Sequence, residues 1–181
     1  MTRFGYVMVT YATVLGIGIA SFVTMPVKLL WNATASTPVG LYSLGAPDTL
    51  KRGDLVAVRP DILLADFMVA RGYIGHGVPL LKRIAALSGD KVCRRGPRVT
   101  VNGRAMADAL ARDHLGRALP VWRGCRRLSD GEVFLLNRAV RDSLDGRYFG
   151  PMSARAVIGR ATPIYTDPSG KGHFVWRAMS R

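Results

Sequence analysis

The chain has 181 residues, and its 26 lysines and arginines against 12 aspartates and glutamates give a formal net charge of +14. Since 49% of the residues are hydrophobic, a wholly disordered chain is excluded, and the length suits one domain with an appendage. The charge fits a soluble, self-repelling surface, or attraction to nucleic acid or an anionic membrane. Because the basic residues are scattered without a basic stripe interleaved with aromatics, we expect no direct nucleic-acid binding.

The first element is an apolar run over residues 4–27 that contains no charged residue. A helix needs about 20 apolar residues to cross the hydrocarbon core of a bilayer, so the run predicts a transmembrane helix. Pro26 suits the far end, where a helix stops or kinks. Arg3 precedes the run and Lys28 follows it, which favours a cytoplasmic N-terminus and a periplasmic remainder.

A membrane anchor over residues 1–30 and a periplasmic domain over 31–181 are therefore predicted. A cleaved signal peptide is the alternative, and Ala33 and Ala35 resemble its small-residue cleavage site. Its hydrophobic stretch would be unusually long, and cleavage there would detach the anchor from the candidate nucleophile described below. We therefore expect the segment to stay attached.

Beyond Trp31, short apolar runs are separated by glycine and proline, which is typical of a mostly β domain. Asn102-Gly103 predicts a type I′ hairpin turn, because these residues accept positive φ angles. The polar, basic stretch over about 104–127 predicts a small insertion, helical or looped, over the strands. The predicted strands cover residues 55–58, 78–86, 99–101, 132–136 and 157–165.

The two cysteines, Cys93 and Cys125, lack the spacing of a metal-binding motif. They can form a disulfide in an oxidising compartment, which the predicted export of this part of the chain favours. The three histidines are scattered, and we expect neither a metal nor an organic cofactor. The histidines are His76, His114 and His173.

The first candidate for chemistry is Ser36, which lies just beyond the apolar run, with small residues before it and Thr37-Pro38 after it. This pattern suits a tight, exposed loop, and exposure is what a nucleophile needs. Alone, the pattern is equally typical of an ordinary turn.

The second candidate is Lys82, which interrupts an apolar, strand-like run. If its side chain points inward, burial lowers the pKa, and a neutral lysine can take a proton from a serine hydroxyl. The alternative is a strand lysine whose stem packs while its ammonium group reaches water.

The third candidate is the polar segment 142–150, in which Asp145 and Arg147 are predicted to pair and stiffen the loop. As a solvated surface ion pair, these two residues would contribute little stability.

In this order, the three segments resemble the type I signal peptidase family, and most closely its conjugal-transfer, TraF-type branch. Ser36 with Pro38 resembles the nucleophile motif, and the continuation over 40–42 is typical of the TraF branch. Residues 82–90 resemble the general-base motif, and 142–150 resemble the closing segment. The resemblance implies a signal-peptidase-like, antiparallel β domain.

The resemblance also implies roles for single residues. Ser36 would attack the scissile carbonyl and Lys82 would serve as its general base, without any cofactor. The Ser36 backbone N–H and the Thr34 hydroxyl would hold the oxyanion. Ser143 would orient Lys82, and the Asp145–Arg147 pair would support that loop.

Four positions depart from the general signal peptidases. Ser88 stands where proline is usual, and Thr37 replaces methionine. Asp142 and Gly146 replace asparagine and serine in the closing segment. These departures point away from a housekeeping enzyme and leave the nucleophile and the base unchanged.

The implied substrate is an exported precursor, namely the pilin subunit of a conjugative system, which some relatives also join into a circle. The implied partners are the membrane, this precursor and other conjugative transfer proteins, at a bacterial inner membrane with the catalytic domain in the periplasm. A general signal peptidase is the alternative within the enzymes. A non-catalytic, basic, membrane-tethered scaffold of the transfer apparatus is the alternative of another class.

Overall fold

A computed structural model describes residues 2–22 and 28–178. The helices are α1 Arg3–Phe22, α2 Ile62–Ala70 and the single turn α3 Gly146–Phe149, with a 3-10 turn at Ala154–Ala156. The strands of the described residues are β1 Leu29–Asn32, β2 Val39–Gly45, β3 Leu55–Val58, β4 Leu80–Ala86, β5 Lys91–Arg95, β6 Arg98–Val101, β7 Arg104–Asp108, β8 Gly124–Arg127, β9 Glu132–Leu135, β10 Met152–Ser153, β11 Val157–Asp167 and β12 Val175–Trp176.

Helix α1 has 20 residues, none of them buried, and is long and apolar enough to cross a membrane. Its hydroxyl side chains donate to backbone carbonyls one turn earlier, which satisfies their hydrogen bonding on an apolar surface: Thr10 to Tyr6, Thr13 to Val9 and Ser21 to Ile17. The predicted end of the helix at Pro26 lies outside the described residues. Strand β1 begins at Leu29, two residues before the predicted domain boundary.

The larger sheet is antiparallel, with the strand order β1-β2-β11-β3-β4-β9-β10 and β12 paired to the end of β11. Strand β11 is the long central member, because its first part pairs with β3 and its later part pairs with β2. The mostly β, antiparallel fold predicted from the sequence is confirmed. This sheet carries the candidate nucleophile between β1 and β2 and the candidate base on β4.

The smaller sheet has the order β7-β6-β5-β8 and packs against one end of the larger sheet. Val92 and Val99 on its inner face are fully buried beside Phe134. Its β6–β7 turn has Asn102 at φ 50° and Gly103 at φ 80°, as the predicted hairpin requires.

The stretch over 104–127 contains no helix, and its middle, residues 109–123, is a loop without regular strands. Its ends are strands β7 and β8, which form the two edges of the smaller sheet. Strand β8 is exposed at all four positions, so it lacks the apolar alternation by which a strand is recognised. Pairing of β8 with β5 places Cys93 directly opposite Cys125, and the two form a disulfide.

Candidate active site

The loop between β1 and β2 is organised around the buried side chain of Asn32. Its amide nitrogen lies 2.9 Å from the Thr34 carbonyl oxygen and 3.1 Å from both the Thr37 and the Pro38 carbonyl oxygens. Its Oδ1 accepts from the Thr34 backbone N–H at 3.1 Å. One side chain therefore holds the loop from both ends, and Ser36 lies at its half-buried tip.

Lys82 is the buried cation of strand β4, with 4% of its surface exposed. Strand β4 is covered on both faces, so the Lys82 side chain points into the protein. Its Nζ lies 3.2 Å from Ser36 Oγ and 3.0 Å from Ser143 Oγ. The two residues of the predicted Ser–Lys pair are thus within hydrogen-bond reach of each other, and Ser143 also contacts the amine.

Burial sets the charge state of this amine. Removal from water lowers the pKa of Lys82 to about 8, from an ordinary value of 10.5. The Asp145 carboxylate opposes this shift and the Arg147 guanidinium adds to it, but both effects are smaller than the effect of burial. With this pKa, roughly a tenth of the amine is neutral at pH 7 and about half at pH 8, and the neutral form is the one that a general base requires.

Asp145 and Arg147 form a fully buried pair, with side chains 0% and 1% exposed. Asp145 accepts from Arg147 Nε at 2.9 Å and from its terminal nitrogen at 2.8 Å. The guanidinium also donates to the backbone carbonyls of Asn137, Val140 and Arg141. Because every remaining hydrogen-bonding group finds a partner, this pair fixes the loop that carries Ser143, and it is not the solvated surface pair of the alternative.

Asn137 completes the site and was not predicted from the sequence. Its side-chain nitrogen donates to the Ser36 carbonyl at 2.8 Å and to the Leu81 carbonyl at 3.1 Å. Its Oδ1 accepts from the Arg83 backbone N–H, and its own backbone N–H donates to Asp145. Through its side chain and its backbone, Asn137 therefore connects the loop that carries Ser36, strand β4 with Lys82, and the segment that contains Asp145. Its only sequence signal is a polar residue directly after an apolar strand.

The oxyanion donors predicted from the sequence differ in availability. The Ser36 backbone N–H has no acceptor among the described residues, so it is available to a substrate oxygen. The Thr34 hydroxyl lies 3.3 Å from Ser36 Oγ, but it donates to Asn32 Oδ1 at 2.8 Å. Thr34 must release this hydrogen bond before its single proton can serve an oxyanion.

The disulfide between Cys93 and Cys125 lies in the smaller sheet and touches none of these groups. Among residues 2–22 and 28–178, no cluster of histidine, cysteine or acidic side chains is suited to hold a metal ion.

Comparison with known proteins identifies the family to which this chain belongs. A family model described as signal peptidase, peptidase S26, matches residues 1–166. The chain belongs to the signal peptidase family. Membership of the S26 family implies a serine peptidase, and the resemblance inferred from the three motifs is confirmed.

Among the relatives of this chain are proteins of plasmid transfer. The chain is 31% identical over 144 residues to "Plasmid transfer protein TraF" of Escherichia coli, covering 75% of this chain and 81% of the relative. It is 32% identical over 151 residues to "Conjugal transfer protein TraF" of Agrobacterium fabrum, covering 76% and 82%. A solved signal peptidase I from Enterococcus faecalis matches 65% of this chain and 98% of its own, with 22% identity and a TM-score of 0.35.

Proposed function

We propose that this protein is a membrane-anchored serine endopeptidase in which Ser36 is the nucleophile and Lys82 is the general base. One observation carries the proposal: Lys82 Nζ lies 3.2 Å from Ser36 Oγ while the lysine is only 4% exposed. Burial supplies the neutral amine, and the contact supplies the path for the proton. Arg83, the neighbouring cation, cannot do the same, because a guanidinium stays protonated.

In the proposed reaction, the Lys82 lone pair takes the hydroxyl proton as Ser36 Oγ bonds to the scissile carbonyl carbon. The carbonyl oxygen becomes an oxyanion, which accepts from the Ser36 backbone N–H. Protonated Lys82 then gives its proton to the leaving amine as the C–N bond breaks. The remaining ester is opened by water, or by an amine of the same substrate, which would close the product into a ring.

Ser143 acts in this proposal as the group that orients the base. Its Oγ accepts one N–H of the Lys82 amine at 3.0 Å, which directs the lone pair toward Ser36. Thr34 is a second oxyanion donor only after its hydroxyl turns away from Asn32. Loss of one such donor typically costs about 100- to 1,000-fold in rate.

We further propose that the substrate is an exported precursor, the pilin subunit of a conjugative transfer system. The names of the TraF relatives support the connection with plasmid transfer. The exposed apolar helix α1 supports attachment to the inner membrane, and Arg3 at its first position supports a periplasmic catalytic domain. The partners are then the membrane, the precursor and other transfer proteins.

The test is cleavage of a pilin-type precursor by the full-length protein in detergent, followed by mass spectrometry. Ser36→Ala should abolish cleavage, whereas Ser88→Ala, which removes an exposed hydroxyl, should leave the rate unchanged. A product lighter than the hydrolysed chain by one water indicates ring closure. Retained cleavage by Ser36→Ala would refute the assignment of the nucleophile.

Plasmid transfer in cells separates the enzyme from the scaffold alternative. A scaffold should support transfer normally with Ser36→Ala, since this change removes one half-buried hydroxyl and leaves the surface unchanged. An enzyme should lose transfer. Cleavage of unrelated secretory precursors at similar rates would instead favour a general signal peptidase.

A further inference from the structure

One face of the smaller sheet is not covered by any element of the described residues. Along β5, Val92 and Arg94 are buried and point toward the larger sheet, where Arg94 donates to the Arg147 carbonyl. Side chains alternate along a strand, so Lys91, Cys93 and Arg95 lie on the opposite, outer face. This outer face is therefore separate from the candidate active site.

The outer face places like charges directly opposite one another. Lys91 pairs in register with Arg127, and Arg95 pairs with Arg98, and all four residues are exposed. Like charges at directly opposed positions destabilise a sheet. Asp108 lies 3.8 Å from Arg98, but both side chains are about two-thirds exposed, so it offsets little of this repulsion.

Three of these cations, Lys91, Arg95 and Arg98, line a groove with a volume of about 630 Å³, together with Asp108. The groove includes residues of both hairpin turns, Pro97 at one end and Gly103 at the other, with Thr100 and Cys93 between them. Lys91 and Arg95 are four residues apart on one strand, which separates them by about 13 Å. The groove thus presents positive charge at two points, Lys91 and Arg95, while the third cation, Arg98, lies beside the one acidic residue of the lining, Asp108.

We propose that this groove binds an extended, acidic segment of a partner protein, with two carboxylates about 13 Å apart that meet the two cationic ends. A concave groove accommodates an extended chain, whereas a bilayer surface is flat. Among the described residues, the lining contains no aromatic side chain on which a nucleic-acid base could stack. The Thr100 hydroxyl offers a hydrogen bond to the backbone of the bound segment.

The test uses the full-length protein in a neutral detergent, in a Ser36→Ala background, so that peptide binding is measured without cleavage. The probe is a short fluorescent peptide in which two glutamates stand four residues apart in a serine and threonine background. Fluorescence anisotropy should show saturable binding that weakens with salt. A peptide with glutamine in place of glutamate should bind much more weakly.

The variant Arg95→Gln/Arg98→Gln removes one opposed pair, and Lys51→Gln/Arg155→Gln removes the same charge from exposed positions outside the groove. The groove variant should bind the acidic peptide roughly tenfold more weakly, and the control should bind like the parent. The groove variant should also melt at the same or a higher temperature, because it loses a repulsion. Weaker binding in that variant then cannot be attributed to unfolding.

Three results would overturn the proposal. One is equal loss of affinity in the groove variant and the charge-matched control, which would indicate general electrostatic attraction. Another is equal affinity for a peptide of the same composition with adjacent glutamates. The third is groove-dependent binding of anionic vesicles or of an oligonucleotide without binding of the peptide, which would assign the face to a different class of ligand.

Discussion

Replacement of Lys82 by methionine should abolish peptidase activity and, at neutral pH, leave the protein as stable as before or more stable. Methionine has a similar length and carries no charge, so it removes the amine while filling most of its volume. The pKa of Lys82 is about 8 in the folded protein, below the ordinary 10.5. Below pH 8, the folded chain therefore holds a charge that the unfolded chain accommodates more easily in water.

The sign and size of the effect follow from proton linkage. The unfolded chain binds more protons than the folded chain between pH 8 and 10.5, so the wild-type stability contributed by Lys82 rises with pH across this range. The full penalty, present below pH 8, is about 3 kcal/mol. Loss of the hydrogen bonds to Ser36 and Ser143 costs about 1 kcal/mol each, which leaves a net stabilisation near 1 kcal/mol at pH 7.

The assay is urea unfolding of the detergent-solubilised protein, followed by tryptophan fluorescence at several pH values. From pH 7 to pH 11, the free energy of unfolding of the wild type should increase by about 3 kcal/mol relative to that of Lys82→Met. Lys51→Met, a change at an exposed lysine, should show a nearly constant difference. If the difference for Lys82→Met is equally constant, the amine is not depressed by burial and the proposed base loses its physical support.

Three further results are expected. The value of kcat/KM should rise about tenfold per pH unit below pH 8 and level off above it, because neutral Lys82 is the proposed active form. A kcat/KM that does not change between pH 6 and pH 9 would argue against Lys82 as the base. Asn137→Leu should lower kcat more than it raises KM, since it releases the Ser36 carbonyl, and an unchanged kcat in a folded variant would contradict a positioning role. Gly40→Ala should destabilise the domain by several kcal/mol, because the added Cβ would overlap the Tyr165 carbonyl oxygen and the residue has a φ of 140°. Thermal melting followed by circular dichroism measures this loss. Gly53→Ala, which also has a positive φ but lies in open space, should lower the stability less.

Five of the strands, β3, β4, β6, β9 and β11, could be predicted because they are short apolar runs bounded by turn residues. Residues 55–58 are buried throughout, and the strand that carries Lys82 is apolar apart from two cations. Helix α2 was not predicted, because eight of its nine residues are apolar, all except Asp66, and they form no one-sided helical stripe. Its one local signal is Asp61, whose side chain caps the helix by accepting from the Leu64 backbone N–H.

The two ends of the candidate catalytic pair could be located in the sequence, because each belongs to a local motif. The distance between their side chains could not be predicted, because Ser36 and Lys82 are 46 residues apart in the chain. They meet only when β1, β2 and β4 join one sheet. Asn137 had only a weak signal, a polar residue directly after an apolar strand, because its partners come from three different segments. The hydrogen bond that occupies the Thr34 hydroxyl could not be predicted either, because its acceptor is the side chain of Asn32.

A buried amine can serve as a base only if its surroundings exclude water and hold the nucleophile within hydrogen-bond distance. Water entering beside Lys82 would restore its charge, and a shift of the nucleophile loop by one ångström would break the 3.2 Å contact with Ser36. Asn137 opposes both changes, because it ties the Ser36 carbonyl to β4 while lying buried itself. The buried Asp145–Arg147 pair holds the backbone of Asn137 in turn. The ion pair therefore serves the lysine mainly through geometry, since its two charges act on the pKa of Lys82 in opposite directions.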